Sequence, residues 1–166
     1  TSYDSGEYEA ALDAALEAAD YASLRAEQQR RREAGDRHQM GIGVATYVEI
    51  TGFGGSEYGE VRLRPDGTFL AITGSTPIGT GHVTTWAMLV ADRLGVPMDQ
   101  IEVFHGDTDV VPSGDTTGGS RSVQLAGSAM ADASEKLVEV ARQAAADQLE
   151  AAVADIVLEE GTFHVA

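Results

Sequence analysis

No cysteine occurs among the 166 residues. Disulfides, thiolate metal sites and a cysteine nucleophile are therefore excluded from the chain. The absence fits a cytoplasmic setting. Long apolar runs are missing too: nothing approaches the roughly 18 residues that would cross a bilayer, so no membrane partner is expected. The opening residues lack the pattern of a secretory signal. Positive charge is scarce, with 11 Lys and Arg against 27 Asp and Glu and a formal net charge of −16. Nucleic acid is excluded on that ground, because phosphate binding needs clustered basic side chains. Five arginines do cluster, at Arg25, Arg30, Arg31, Arg32 and Arg37, but Glu27, Glu33 and Asp36 interleave them. That pattern reads as a solvated helix face. Lysine occurs once, at Lys136, which removes the P-loop with its Lys followed by Ser or Thr.

What remains is the size of one ordinary domain. Residues 7–34 read as one broken helix or two, with Leu12, Ala15, Leu16 and Ala19 at helical spacing. Asp20 is placed to cap the second segment, and Gly35-Asp36 stops it. Three strands are expected next, over residues 40–50, 57–64 and 68–73, as an antiparallel meander. Thr51 to Ser56, with three glycines, connects the first pair, and Pro65-Asp66-Gly67 is a tight turn between the second. Residues 82–94 are helical, with Trp86, Leu89, Val90 and Leu94 on one stripe and Gly95 as the stop. A short strand over 101–104, a long loop over 106–119, a helical stretch over 120–152 and a hairpin of 156–159 with 162–165 complete the chain. Strands and helices are mixed without strict alternation, so the expected class is α+β, a mixed sheet packed with helices. As a single domain it divides into a helical lead-in (1–37), a meander (38–74), two glycine-rich turns (75–122) and a long helix with the hairpin (123–166).

Two glycine-rich turns each feed a helix: Gly79-Thr80-Gly81, and Thr116-Thr117-Gly118-Gly119-Ser120-Arg121-Ser122. Backbone donors at a helix start favour an anionic group. Hydroxyls add donors, and Arg121 adds a charge able to pair with phosphate. Neither turn is a dinucleotide fingerprint, since Thr84 stands where the third glycine of Gly-x-Gly-x-x-Gly belongs. His82 falls in the first helical turn, with no Gly-x-Ser-x-Gly serine and no orienting carboxylate placed by sequence, which suits a positioning or capping histidine. His38, His82, His105 and His164 lack metal-ligand spacing. Asp107, Asp109 and Asp115 lack the glycine and distal glutamate of a calcium loop, so Asx turns account for them. No catalytic residue and no metal ligand is expected.

The run from Ser75 to Thr85, then Ala91-Asp92-Arg93-Leu94-Gly95-Val96-Pro97, resembles the molybdenum hydroxylase large subunit. So do Gly106-Asp107-Thr108-Asp109 with Pro112, and Thr117-Gly118-Gly119-Ser120-Arg121-Ser122. This is the xanthine dehydrogenase, aldehyde oxidase and aerobic carbon monoxide dehydrogenase family. Tyr3-Asp4-Ser5-Gly6 and Gly41-Ile42-Gly43-Val44-Ala45 also resemble it, nearest the carbon monoxide dehydrogenase branch. The resemblance spans nearly the whole chain with its motifs in order. It departs at Thr80 and Met88, where the family usually has Gln, and at Thr116, where Gly is common.

The resemblance implies molybdopterin with molybdenum, as the cytosine dinucleotide in bacterial members. The cofactor-binding residues would be Gly79, Thr80 and Gly81 in the first turn, and Thr117, Gly118, Gly119, Ser120 and Ser122 in the second. It implies a fragment of a larger oxidoreductase subunit, inactive and without cofactor when alone, whose partners are the remainder of that subunit and iron–sulfur and flavin subunits or domains. No residue here matches the family's glutamate base, and Glu159 and Glu160 flank a hairpin turn. Exposed packing faces would favour self-association of the isolated fragment. Two other readings stand beside it: a cofactor-free scaffold or interaction domain, and a nucleotide or phosphate-ester binding module.

Overall fold

A computed structural model describes residues 5–52 and 54–166. Tyr3 and Asp4 of the first resembling motif, and Phe53 of the expected strand connection, lie outside the described residues. The chain forms two compact units, Thr1–Tyr47 and Val48–Ala166.

The first unit holds two helices, α1 (Tyr8–Ala18) and α2 (Tyr21–Glu33). Asp20 does not cap α2 with its side chain. It takes a left-handed conformation, φ 49°, and contributes its carbonyl to Leu24 N at 3.1 Å. The break between the helices is thus made by backbone geometry. Two of the five clustered arginines pair on their own face: Glu27 accepts from Arg30 at 2.6 and 2.7 Å and from Arg31 at 2.7 Å. Gln28 is buried and donates to the Met40 carbonyl at 3.0 Å.

Residues 40–50 form no strand. Val44, Tyr47, Val48 and Ile50 are all exposed. Their alternating apolar pattern suits a half-buried strand, but a strand also needs a ladder partner to satisfy its backbone. None of the strands below pairs with it, so the expected three-stranded meander loses its first member.

In the second unit, β1 (Gly59–Leu63) and β2 (Phe69–Thr73) pair antiparallel, Val61 opposite Ala71. Their turn closes through Arg64 N to Thr68 O at 2.8 Å, with Gly67 at φ 85°. Asp66 accepts from the Thr68 hydroxyl at 2.7 Å and from its N–H at 3.0 Å, and these bonds lower the Asp66 pKa. The chain then runs through α3 (His82–Leu94) to β3 (Ile101–Phe104), which lies parallel to β2 with Ala71 opposite Val103. A parallel pair needs such a crossover.

Helix α4 (Ser128–Leu149) packs on the same sheet, and β4 (Ile156–Glu159) with β5 (Thr162–Val165) forms the separate hairpin. The 22-residue α4 starts later and ends earlier than the expected 120–152 stretch. Glu150 stops it at φ 51°, and a π-helical turn over Ser122–Gly127 precedes it. The core is Val61, Ala71, Trp86, Val90, Leu94, Ile101, Ala126 and Met130. Sheet and helix approach closely at Gly59, where a Cβ would overlap the backbone of Ala129. The result is the α+β class that the sequence implies, with the sheet mixed.

Candidate functional site

Strand β2 ends in the buried core at Thr73, and the next residues turn out of it toward α3. Gly79 and Gly81 have φ values of 90° and 76°, a region that L side chains rarely adopt. No heavy atom lies within 4 Å of where a Cβ would stand at either glycine. Their lack of a side chain therefore serves backbone conformation and open access, and no protein packing requires it. The first bond of α3 runs from Thr85 N to Gly81 O at 3.0 Å, so the N–H groups of residues 82–84 precede the helical ladder. Gly79, Thr80 and Gly81 are all exposed.

The second turn is built differently. Gly119 and Ser120 are both left-handed, at φ 56° and 52°, an uncommon conformation for serine. The chain then enters the π-helical turn, a feature that recurs at functional sites. Gly52 N donates to Ser120 O at 3.1 Å, and Arg121 N to Gly118 O at 3.3 Å.

A run of hydroxyls joins the two turns. Ser75 donates to Ser122 Oγ at 3.3 Å, Ser122 donates to Thr117 Oγ1 at 3.3 Å, and Thr117 donates to Thr76 O at 2.8 Å. Ser75 is 1 % exposed and Ser122 is also buried, so water does not compete for the bond between them, while the Thr117–Thr76 end of the run is exposed. Residues 42 and 47 positions apart in sequence are thereby brought into contact.

His82 lies under this arrangement. Its ring stacks on Trp86 with centroids 5.3 Å apart, and it is 6 % exposed. It lines a recess of about 380 Å³ with Thr51, Thr117, Gly118, Ser120 and Ser122 among others. That volume is at the low end for small-molecule sites, about 300–1,000 Å³. It suits one portion of a large ligand. His82 Nδ1 and Arg121 Nε are buried without a hydrogen-bond partner among the described residues. The unpaired His82 nitrogen beside open backbone fits a polar ligand group.

Of the sequence-derived candidates, Thr117, Gly118, Ser120 and Ser122 line the recess. Gly119 shapes the turn between them. Gly79, Thr80 and Gly81 do not line it. They form the adjoining helix entry, tied in through Ser75 and Thr76. Arg121, expected to be free to pair with phosphate, instead spends its terminal nitrogens on protein acceptors. Ser75, Glu57 and the π-turn were not legible as site features. Ser75 stands at the start of the first run that resembles the molybdenum hydroxylases, whereas Glu57 gives no signal. Asp107 accepts from Asp109 N at 2.9 Å in an Asx turn, as expected of that loop.

A profile of the molybdopterin cofactor-binding domain family matches residues 14–166. The chain belongs to that family. It is 40% identical to the carbon monoxide dehydrogenase large chain of Hydrogenophaga pseudoflava, over 98% of this chain and 22% of that protein. It is 34% identical to the 6-hydroxypseudooxynicotine dehydrogenase complex subunit gamma of Paenarthrobacter nicotinovorans, over 98% of this chain and 20% of that protein. The crystal structure of the Cu,Mo-CO dehydrogenase in its carbon monoxide reduced state superposes with a TM-score of 0.68 at 36% identity. That match covers 98% of this chain and 22% of the other.

This member of the molybdopterin cofactor-binding domain family thus spans about a fifth of the length of the relatives it matches. Those relatives are large oxidoreductase subunits or a subunit of a dehydrogenase complex. Neither a cofactor-free scaffold nor a general phosphate-binding module finds support in these matches. Among the described residues, no helix is long and apolar enough to cross a membrane.

Proposed function

We propose that Gly79, Thr80, Gly81, Thr117, Gly118, Gly119, Ser120 and Ser122 form one wall of the molybdopterin site. The molybdopterin would be the cytosine dinucleotide form. The protein carrying this wall would be a molybdenum-dependent dehydrogenase or hydroxylase of the carbon monoxide dehydrogenase branch, with iron–sulfur and flavin partners receiving the electrons. The chain alone, lacking a catalytic base, would be inactive, and its setting is cytoplasmic. The observation that carries this reading is the joining of two glycine-rich helix entries by the Ser75–Ser122–Thr117 hydroxyl run, beside orphaned His82 Nδ1.

The chemistry of the residues supports it. The N–H groups ahead of α3 donate toward an anion, and the helix dipole adds to their effect. Thr80 supplies a hydroxyl donor, the Thr117 and Ser120 hydroxyls, whose protons go to Thr76 O and Glu49 Oε1, offer acceptor lone pairs, and the bare backbone of Gly79 and Gly81 permits close approach. His82 lines the recess and is backed by its stack on the fully buried Trp86. When bound, the cofactor supplies the redox chemistry. The role of these residues is to hold and orient it.

The test is molybdenum and released pterin per mole of the full-length polypeptide. About one of each is expected, falling to a tenth or less in Gly79→Val and in Gly119→Val. Gly67→Val is the control, because Gly67 has φ 85° in a turn with nothing within 4 Å. It carries the same backbone strain, about 1–3 kcal/mol, and should keep its cofactor. Equal loss in all three variants would reduce the effect to strain, and full retention in the first two would overturn the wall.

A further inference from the structure

The Arg121 side chain is 6 % exposed and that of Glu57 2 %, with Arg121 Nη1 3.1 Å from Glu57 Oε2. The same guanidinium donates to Thr116 O at 3.4 Å and to Ser56 O at 3.2 Å. Asp115 Oδ2 lies 3.7 Å away, with its side chain 69% exposed. On the other side, Glu57 Oε1 accepts from Tyr58 N at 3.0 Å. It also fills the space beside Gly74, where a Cβ would overlap Glu57 Oε1, Ser113 O and Gly114 Cα. Thr116 opens the second glycine-rich turn and Arg121 closes it. One side chain therefore bridges both ends of its own loop and ties them to the segment leading into β1.

We infer that Arg121 and Glu57 form a buried clamp that sets the shape of the second turn, which makes Arg121 a positioning residue for the ligand and not its charge partner. The inference rests on the cofactor-wall reading for its functional meaning. The planar fork of arginine reaches two carbonyls and a carboxylate from two separate nitrogens in a fixed plane, a spread that the single nitrogen of a lysine does not offer. With both terminal nitrogens engaged, little of the cation is left to meet a phosphate. The clamp holds Gly119 and Ser120 in their left-handed conformations, which the loop would relax from if its ends were released. The backbone of residues 117–120 is thereby presented as a fixed surface.

A double-mutant cycle separates the two roles. If Arg121 is a clamp, Glu57→Gln and Arg121→Gln lose cofactor to a similar degree, and the double variant is no worse than either single one. Hydrogen exchange at the amides of residues 52 and 121, which donate to Ser120 O and Gly118 O, read on the cofactor-free full-length polypeptide, should then quicken about tenfold or more in each. If Arg121 is a phosphate partner, Glu57→Gln keeps or improves retention, Arg121→Gln abolishes it, and exchange without cofactor is unchanged. That result overturns the clamp. Arg121→Lys covers the case in which the glutamine variants do not accumulate. Lysine with retained cofactor and native exchange overturns the clamp, and loss of both supports it. Exchange without cofactor tests the clamp alone, while the pterin content of the unaltered protein tests the wall, so the two can fail separately.

Discussion

The first glycine-rich turn has two glycines at φ 90° and 76° and opens directly into a regular α-helix. The second has one glycine and one serine in the left-handed region and opens into a π-turn. The first is shaped by its own residues: glycine permits the dihedrals, and α3 begins where its amphipathic stripe begins. The second takes an unfavourable serine conformation that distant groups enforce, namely Glu57, Ser56, Gly52 and Ser75. Local sequence suffices to build one donor array, and long-range ties are required for the other.

The strongest way to break this comparison is to remove the support beneath the first turn. Trp86 is fully buried against His82, so Trp86→Ala should cost about 3–5 kcal/mol, read as a fall in the urea midpoint. If the first turn is locally determined, its glycine dihedrals survive while α3 loosens behind them. Native stability in this variant would remove the stack from the site's architecture.

Ser75→Ala comes next. It leaves the buried Ser122 hydroxyl without its donor partner and should cost about 1–3 kcal/mol. Because Ser75 belongs to the first turn and Ser122 to the second, amide exchange should quicken at both. Loosening confined to residues 75–81 would show the turns to be independent.

Ser120→Gly sharpens the contrast from the other side. Relief of the left-handed serine, less the extra freedom of glycine in the unfolded chain, should leave a net gain of about 0.5 kcal/mol in thermal unfolding. Cofactor retention should fall in the same variant if the hydroxyl contacts the ligand. A loss of stability would mean that Ser120 is not strained.

The smallest effect lies in the N-terminal unit, which belongs to neither turn. Hydrogen bonds from Arg30 and then Arg31 hold the Glu27 carboxyl down at about 2, below its ordinary 4.5. A depressed acid contributes its stability above the unfolded value and loses it as pH falls through the folded one. Helical circular dichroism should therefore decline between about pH 4.5 and 2 by a small amount that Glu27→Gln removes. Both turns should be unmoved by that substitution.

Much of the local structure could be read directly. The bounds of α3, β3 and the hairpin follow from apolar spacing and from Gly95 and Glu160-Gly161, since each element carries its own stop. Residues 40–50 mislead because β-branched alternation describes a strand's surface and says nothing of its partner. The site was half legible for the same reason. Gly79-Thr80-Gly81 and Thr117 to Ser122 announce themselves by composition. Glu57 looks like any acidic residue, and Arg121 looks like a phosphate ligand until its neighbours are known.

The sequence by itself determined the α+β class, the bounds of α3, and the presence of two donor-rich turns in a chain that matches the molybdopterin cofactor-binding domain family. These depend on spacing and dihedral preference within a few residues. Only the tertiary structure decided that the turns meet through Ser75, Ser122 and Thr117, that His82 is buried with a nitrogen unpaired among the described residues, and that Arg121 faces inward to Glu57. Those facts depend on which surfaces exclude water together, and contacts made 42 to 65 positions apart leave no periodic trace in the chain.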